Sequence, residues 1–349
     1  MRIVVTGGAG FIGSCVVDQL AEAGHDVVVL DNLDPAAHST TPDYLRDDVE
    51  YRRLDVRDPD TWLGALPGAD TIVHLAGKVG LGVDFGDAVD YVTNNDVGAA
   101  VGLGAAHELG WRGRYVLGSS MVVYGEGRYR CATHGEIRPG RRLAATMGTG
   151  DYEPPCPRCG SPLLAVAITE DVACEPRNVY AATKLHQEHL AFAFGAEKDL
   201  PVTALRFHNV YGPRMPKDTP YAGVASIFLS ALAGGGVPRV LEDGGQTRDF
   251  VHVVDVARAV CAAATDDALS GAFNVASGEP RTVLDLAAAL TDTVDASRRP
   301  EIAGGWRDGD VRHVFASPER LWSAFDCRPI VAFDDGVAEL ATAPLRGSS

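Results

Sequence analysis

Residues 1–13 are MRIVVTGGAGFIG, a short apolar run followed by a glycine-rich turn. Arg2–Thr6 predicts a buried strand, and Phe11–Ala23 predicts an amphipathic helix. Between them, Gly7 permits a tight turn, Gly10 lets the backbone approach a diphosphate, and Gly13 lets the helix pack closely on the sheet. The unpaired N–H groups at the start of the helix favour an anion. The stretch predicts a dinucleotide site, although a glycine-rich turn by itself also fits a plain structural turn.

The first half of the chain continues this alternation of short apolar runs and longer amphipathic segments. That order is typical of strands joined by helices in a parallel sheet. Beyond residue 209 the segments become shorter and mixed, which indicates a smaller lobe. The further predicted strands are Val27–Leu30, Val49–Leu54, Thr71–Leu75, Arg114–Leu117 and Val202–Phe207. The further predicted helices are Val89–Leu109, Ala222–Ala233, Val254–Ala264 and Val283–Leu290. We therefore predict an α/β protein with a doubly wound parallel sheet in residues 1–208 and a mainly substrate-binding lobe in residues 209–345, and Ala343–Ser349 is predicted to fray.

The composition narrows the possible partners and compartments of the 349-residue chain. Lys and Arg number 31 against 47 Asp and Glu, a formal charge of −16. Such a surface repels phosphate backbones and anionic lipid, so we expect neither nucleic-acid nor membrane partners. No apolar run approaches the roughly 20 residues that span a bilayer, and the first strand leaves no room for a signal peptide. We expect a cytoplasmic protein with reduced cysteines.

Acidic and small residues follow the predicted strands at the edge where a cofactor would lie. Asp31 closes the second strand, where its carboxylate can hold ribose hydroxyls and repel a 2′-phosphate. This placement favours NAD over NADP, although a turn aspartate is the simpler alternative. Asp55 follows the third strand and residues 75–77 follow the fourth, both at positions where a cofactor crosses a doubly wound sheet.

A Tyr-x-x-x-Lys pair provides candidate acid/base chemistry. Tyr180 and Lys184 lie one helical turn apart, and a nearby cation stabilises a phenolate. A packed tyrosine with a surface lysine would give the same pattern. Upstream, Ser119 and Ser120 follow the fifth predicted strand, at the edge of the sheet where ligands bind. A hydroxyl there could share a substrate oxygen with Tyr180.

Taken in order, these motifs resemble the extended short-chain dehydrogenase/reductases, in particular the NAD-dependent sugar epimerase/dehydratase family. The resemblance runs from Met1 to about Arg312 and implies a Rossmann sheet. Further matching motifs are Asn95 with Gly98, Val123-Tyr124-Gly125, residues 206–214 and residues 247–253.

The resemblance implies roles for individual residues. Tyr180 would be the acid/base, Ser120 its hydroxyl partner and Lys184 a catalytic residue that also binds ribose. The implied contacts of NAD are Gly7, Gly10, Phe11, Ile12, Gly13, Asp31, Asn32, Asp55, Val56, Leu75, Ala76, Gly77, Asn95, Tyr180 and Lys184. The implied contacts of a nucleotide-sugar are Ser120, Asn209, Tyr221, Arg248 and Arg307. Relatives also imply a homodimer in which Val89–Leu109 and the helix starting at Tyr180 form a four-helix bundle, although the same residues would serve an intramolecular contact.

One departure from the family pattern bears on the reaction. Dehydratases and sugar-acid decarboxylases of the family carry an acidic residue just after the catalytic hydroxyl, where this chain has Met121 and Val122. Neither can transfer a proton, so we expect a 4-epimerase that works through a transient 4-keto sugar. The alternatives are a nucleotide-sugar oxidoreductase with net turnover of NAD and a non-catalytic binding protein, which the intact catalytic residues disfavour. Lys78 and His208 are also unusual; substrate contact, packing and solvation are open for both.

Residues 127–168 have no sustained period and contain two short knuckles. Cys131 and His134 form a CxxHG motif, and Cys156 and Cys159 form a CxxCG motif. This spacing predicts a structural zinc site with four closed ligands, which would order an insertion that lacks a core of its own. Two unrelated pairs are the alternative. The insertion resembles that of the dTDP-L-rhamnose 4-epimerases and close relatives, which makes such a sugar the leading expectation. The cysteines predicted to pack are Cys15, Cys174, Cys261 and Cys327.

Overall fold

A computed structural model of the chain describes residues 1–38, 40–80, 85–217, 223–266, 270–307 and 309–346. The strands are β1 (Arg2–Thr6), β2 (Asp26–Leu30), β3 (Glu50–Arg52), β4 (Thr71–His74), β5 (Arg114–Ser120), β6 (Arg128–Cys131), β7 (Gly135–Ile137), β8 (Leu164–Val166), β9 (Val202–Phe207), β10 (Asn209–Tyr211), β11 (Arg239–Val240), β12 (Thr247–His252), β13 (Gly271–Val275), β14 (Pro280–Thr282), β15 (Glu301–Ile302) and β16 (His313–Val314). The helices are α1 (Phe11–Glu22), α2 (Pro59–Ala65), α3 (Ala88–Tyr91), α4 (Gly98–Glu108), α5 (Ala144–Met147), α6 (Val179–Lys198), α7 (Val224–Ala233), α8 (Val253–Thr265), α9 (Val283–Val294), α10 (Glu319–Phe325) and α11 (Phe333–Thr342). Within these ranges, no helix is both long and apolar enough to cross a membrane.

A seven-stranded parallel sheet forms the centre of the molecule, in the order β13-β9-β5-β4-β1-β2-β3. Side chains alternate between its two faces. Ile3 and Val5 of β1 pack on one side in a cluster with α1 and α8, whereas Val4 packs on the other side with α2 and α4. Helices therefore cover both faces, and the predicted doubly wound α/β fold is confirmed.

The predicted elements agree with the structure in kind and differ at their ends. β1 and β9 have the predicted bounds, but β5 continues three residues past Leu117 to Ser120, and α9 continues to Val294. Periodicity fades where a segment leaves the core, although backbone hydrogen bonding continues. The short helices α2, α10 and α11 were not predicted. The helix predicted at Val89–Leu109 is α3 and α4 joined by a π-helical turn, Val92–Val97.

The second half of the chain builds the smaller lobe and also returns to the central sheet. β12 pairs with β10, β14 and β16, and α7, α9 and α11 pack together around a core that includes Leu286 and Leu340. However, β13 pairs with β9 as the edge strand of the central sheet, and α8 packs on α1. Residues 253–275, which lie in the part predicted to be mainly a substrate-binding lobe, therefore complete the central sheet and one of its helical layers.

The segment after α11 departs from the predicted fraying. Leu345 is buried in the core of the lobe, and Arg346 forms a parallel bridge with Pro216. Residues 347–349 lie outside the described part of the chain. The fraying prediction is therefore wrong for residues 345–346, because an apolar anchor and a backbone partner hold them.

Candidate active site

The glycine-rich turn packs so closely that side chains are excluded. Gly7 has φ +69°, and a Cβ added to it would lie 2.8 Å from the backbone nitrogen of Ala76. A Cβ on Gly13 would overlap the carbonyl oxygen of Gly7. The turn therefore needs glycine at both positions and leaves an open cradle at the start of α1, as a diphosphate requires.

A cavity of about 360 Å³ begins at this cradle and follows the carboxyl ends of the strands. The predicted cofactor residues that line it are Gly7, Gly10, Phe11, Ile12, Gly13, Asp31, Asn32, Asp55, Val56, Leu75, Ala76, Gly77, Tyr180 and Lys184. Asn95 lies behind this wall, in the π-helical turn. Its side chain bonds both backbone groups of Lys78, at 2.7 and 3.0 Å, and the hydroxyl of Thr183 at 3.0 Å. It thus shapes the loop after β4.

The two predicted acidic residues have different partners. The carboxylate of Asp31 accepts from the backbone N–H of Ala9 at 3.0 Å and of Leu33 at 2.9 Å. Asp55 instead pairs with Arg57 at 2.6 Å, and that hydrogen bond lowers the pKa of Asp55 to about 2. Asp31 is therefore held by the backbone, with no cation paired to it among the described residues, so its charge is available to oppose a 2′-phosphate.

The two serines at the end of β5 point in opposite directions. Ser119 is buried and donates to Glu188, which also forms an ion pair with Arg206 at 2.7 Å. Ser120 lies opposite Phe207 of β9 and caps the short 3₁₀ turn Met121–Tyr124. Because neighbouring residues of a strand face opposite sides, the hydroxyl of Ser119 anchors the strand, whereas Ser120 lines a second, larger cavity.

Tyr180 lies in the first turn of α6, which the side chain of Asn178 caps by accepting from Ala181 at 2.8 Å. The phenol is 9% exposed, and its ring lies 6.0 Å from that of Tyr91. Burial raises the pKa of Tyr180 to about 12, while a hydrogen bond with Ser120 opposes the rise. The hydroxyls of the pair predicted from sequence therefore lie on the same cavity, and the buried phenol keeps its proton at neutral pH.

Lys184 follows one turn later and is also buried. Its ammonium donates to the carbonyl of Gly118 at 2.9 Å, and an added Cβ on Gly77 would lie 3.5 Å from it. Burial lowers the pKa of Lys184 to about 8, while Asp96 and Glu188 oppose the change. The ammonium is thus fixed between two strand ends on the wall of the cofactor cavity.

A second cavity, of about 1700 Å³, adjoins the first and opens between the sheet and the lobe. Tyr180 and Met215 line both cavities. The predicted substrate residues that line the larger cavity are Ser120, Asn209, Arg248 and Arg307. Tyr221 lies outside the described residues. The catalytic pair therefore stands where a cofactor and a second ligand would meet.

Comparison with known proteins agrees with this arrangement. The model of the NAD dependent epimerase/dehydratase family matches residues 3–143 and 156–276. The chain belongs to this family. The resemblance seen in the sequence, and with it the expectation of an NAD-dependent enzyme of the epimerase type, is confirmed.

Individual relatives of this family match the chain over nearly its full length. The dTDP-L-rhamnose 4-epimerase of Burkholderia thailandensis is 33% identical over 348 residues, which cover 98% of this chain and 94% of that enzyme. The structure of the Thermus thermophilus UDP-glucose 4-epimerase in complex with NAD has a TM-score of 0.78 at 29% identity and covers 98% of both chains. The Thermotoga maritima UDP-glucose 4-epimerase with UDP-glucose has a TM-score of 0.79 at 26% identity, covering 98% of this chain and 97% of that one.

The family match is interrupted at residues 144–155, inside the insertion. There, β7, β6 and β8 form an antiparallel sheet, and Arg142 and Met147 line the larger cavity. Arg142 forms a 2.8 Å ion pair with Glu242 of the lobe, which also pairs with Arg312 at 2.8 Å. The insertion is thus a wall of the site in this epimerase/dehydratase-family protein.

The two knuckles of the insertion come together. The ligand atoms of Cys131, His134, Cys156 and Cys159 all lie within 4.8 Å of one another. The Nδ1 of His134 lies 3.6 Å from the sulfurs of Cys131 and Cys156, and the sulfurs of Cys131 and Cys159 lie 3.8 Å apart. Three sulfurs and an imidazole are donors that suit zinc.

Two polar residues in the larger cavity were not assigned from sequence. His208 is 4% exposed, and neither ring nitrogen has a hydrogen-bond partner in the described ranges. Burial lowers the pKa of His208 to about 3, so the ring is neutral. Glu126 is buried and accepts from the backbone N–H of Arg312 at 2.6 Å and from the hydroxyl of Tyr129 at 3.2 Å. Periodicity gives no signal for either residue, because each follows the end of a regular motif. The other unusual residue, Lys78, pairs with Asp90.

Proposed function

We propose that the chain is an NAD-dependent 4-epimerase of a nucleotide-sugar, with dTDP-L-rhamnose or a related dTDP- or UDP-sugar as the substrate. The observation that carries the proposal is that Ser120 and Tyr180 line the larger cavity together, with Tyr180 also on the wall of the smaller cavity, where the two cavities meet. Met121 and Val122 also line the substrate cavity, where dehydratases of the family carry an acidic residue. Tyr180 can exchange a proton with a hydroxyl of the sugar. Met121 and Val122 cannot exchange a proton with the neighbouring carbons, as dehydration would require.

The residues around the junction have separate tasks in this reaction. Tyr180 accepts the proton of the 4-hydroxyl in its phenolate form, which is the minor form at neutral pH, and Ser120 holds the same oxygen by a hydrogen bond. Lys184 positions the nicotinamide ribose from the wall of the cofactor cavity. When bound, NAD would supply the acceptor for the hydride of C4 and the donor that reduces the ketone again, inversion following when the opposite face is presented to it. Tyr180 then gives the proton back, so atoms and electrons balance without a co-reactant.

The substrate residues fit a ligand with a diphosphate and a polar sugar. Arg248 is oriented by hydrogen bonds to the carbonyl oxygens of Val311 and Arg312, at 2.7 and 2.9 Å. With Asn209 and Arg307 it offers donors to a diphosphate. His208 comes directly after Phe207, the residue of β9 that is paired with Ser120, and it lines the same cavity. We therefore propose that its ring forms a hydrogen bond with a hydroxyl of the sugar. The relatives named as dTDP-L-rhamnose and UDP-glucose 4-epimerases support this substrate class.

The test follows both the sugar and the cofactor. The purified enzyme is incubated with dTDP-L-rhamnose, UDP-glucose and related sugars while NMR reports the configuration at C4 and absorbance at 340 nm reports NADH. Inversion at C4 without accumulation of NADH is expected. Stoichiometric NADH would identify the alternative, an oxidoreductase with net turnover of NAD, and a product lacking water would mean that Glu126 supports dehydration. Glu126→Gln is the matched variant, which should leave inversion intact.

We further propose that the insertion binds one structural zinc ion. With about 2.3 Å to sulfur and 2.1 Å to nitrogen, tetrahedral geometry separates two sulfurs by about 3.8 Å and sulfur from nitrogen by about 3.6 Å. The separations around Cys131 and His134 match these values. All four positions would be filled by protein, so the ion would order the wall of the cavity without joining the reaction. Elemental analysis of protein purified without chelator should find one zinc per chain.

We also propose a cytoplasmic homodimer that uses the outer side of α3 and α4. Val89 and Val97, about two helical turns apart, are 77% and 40% exposed, and neither lines the larger cavity. Burying such a row in a second copy removes apolar surface from water. Sedimentation should give a dimer, and Val89→Glu should give a monomer. Ile330→Glu, which changes another exposed apolar residue, should leave the dimer intact.

A further inference from the structure

The segment after α11 is fixed beside the cofactor cavity. The backbone N–H of Arg346 donates to Met215 at 2.9 Å, and the carbonyl of Arg346 accepts from Lys217 at 3.0 Å. Leu345 is 8% exposed in the core of the lobe. Two backbone hydrogen bonds and an apolar anchor therefore hold this short strap, Leu345–Arg346, in one position.

The side chain of Arg346 enters the cofactor cavity at the glycine-rich turn. Its Nη1 would lie 3.7 Å from a Cβ placed on Gly10, the glycine at which the backbone opens toward α1. Both Nε and Nη1 are buried and have no hydrogen-bond partner within the described part of the chain. Buried donors without partners are unfavourable, so their presence beside a cavity points to a ligand that accepts hydrogen bonds.

The charges around the cavity indicate which ligand group this is. Lys78, another cation on the wall, is paired with Asp90, and Lys184 donates to a strand carbonyl. The hydroxyl of Tyr44 contacts Arg346 and bonds the carbonyl of Ala9, so it steadies the guanidinium rather than neutralising it. A guanidinium with unused donors beside a helix N-terminus suits a diphosphate.

We propose that Arg346 binds the diphosphate of NAD and that the strap retains the cofactor through turnover. The inference rests on the proposed function in taking NAD as the cofactor. Met215, the backbone partner of the strap, lines both cavities, so the strap joins the cofactor site to the substrate lobe. Retention suits an epimerase, since the hydride taken from the sugar has to be returned to the same molecule.

The experiment compares ligands with and without the diphosphate. Arg346→Gln, Arg346→Lys and the control Arg299→Gln, which removes the same charge from a 71% exposed side chain, are stripped of nucleotide. Calorimetry then measures the affinity for NAD and ADP-ribose, and displacement measures that for adenosine. Arg346→Gln should raise the Kd for NAD and ADP-ribose about ten- to hundredfold, as expected for hydrogen bonds to a charged group, and leave adenosine unchanged. Arg299→Gln should change none of these values.

Retention is measured separately. Protein purified with bound NAD is passed through a desalting column, and the remaining NAD is determined after denaturation; Arg346→Gln should lose it faster than the unmodified chain. Equal affinities in the Gln and unmodified proteins, or an equal loss for adenosine, would overturn the inference while leaving the proposed function standing. Failure of the unmodified chain to bind NAD would overturn both. Arg346→Lys keeps the charge and the backbone hydrogen bonds, and it tests the inference if the Gln variant fails to fold. In the Lys variant the Kd for NAD and ADP-ribose should rise by less than in the Gln variant, with adenosine binding unchanged; an unchanged Kd for all three would overturn the inference.

Discussion

The carboxylate of Glu242 links the insertion to the lobe, and its removal allows a quantitative test. Glu242 is 1% exposed as a side chain and pairs with Arg142, at 4%, and Arg312, at 3%, both at 2.8 Å. Glu242→Gln keeps the size of the side chain and removes its charge. Arg312 retains Asp243 at 2.8 Å, whereas the remaining hydrogen-bond partners of Arg142 among the described residues are backbone carbonyls. The variant therefore leaves the buried guanidinium of Arg142 with no directly paired carboxylate among the described residues.

The magnitude follows from that imbalance. Breaking a buried pair by removing one partner costs about 3–5 kcal/mol. For 349 residues at about 2.1 cal/mol/K per residue, each kcal/mol shifts the Tm by about 1.4 °C, so the Tm should fall by roughly 4–7 °C. Because Arg142 and Glu242 also line the substrate cavity, the KM for the nucleotide-sugar should rise while the affinity for NAD stays the same.

The control uses the same guanidinium. Glu153 pairs with Arg312 at 2.6 Å but is 47% exposed, so Glu153→Gln should cost about 0–1 kcal/mol. Urea unfolding and differential scanning calorimetry measure both variants, and Arg142→Met in the Glu242→Gln background should recover part of the loss. Equal losses for the two glutamates would refute the reasoning, since burial would then not decide the strength of the pairs.

Three further predictions concern the cofactor, the proton and the metal. Asp31→Asn should raise the affinity for NADP relative to NAD by roughly 10²–10³-fold, because it removes a repulsion of about 4 kcal/mol between unit charges 4 Å apart. Calorimetry with both cofactors measures this, and an unchanged ratio of the two Kd values would contradict the prediction. Burial raises the pKa of Tyr180 to about 12, and only the phenolate accepts a proton, so the single-turnover rate of NAD reduction should increase with pH between 6 and 9 and be lost in Tyr180→Phe; a rate that decreases over this range would exclude the role. Cys156→Ser should abolish stoichiometric zinc and raise the KM more than it lowers kcat, whereas Cys261→Ser should keep the zinc; full zinc content in the first variant would remove Cys156 from the proposed site.

The part of the fold nearest the cofactor could be predicted from sequence because its requirements are local. A tight turn needs Gly7, close helix packing needs Gly13, and a buried parallel strand needs an uninterrupted apolar run such as Ile3–Val5. Each requirement is met by neighbouring residues. The choice of Ser120 over Ser119 came from the family resemblance, since the end of the strand alone left both serines open, and the strand geometry agrees with it.

The remainder depends on contacts between distant parts of the chain. β13 belongs to the central sheet because it pairs with β9, and nothing within Gly271–Val275 distinguishes it from a strand of the lobe. Glu126 and Arg142 become cavity residues only when the lobe closes over them. Arg346 lies in a segment whose composition predicts fraying, and its position is set by backbone bonds to Met215 and Lys217.

The π-helical turn at Val92–Val97 has a consequence for how the length of this region can vary between relatives. Hydrogen bonds from residue i to i+5 accommodate one residue more per turn than those of an α-helix. In a regular helix an extra residue would rotate everything after it by about 100°. Gly102 would then leave the indole of Trp62, which lies 2.6 Å from where its Cβ would be. The widened turn absorbs an insertion and keeps α4 in phase, so relatives shorter by one residue here can keep the same core while losing the inward placement of Asn95.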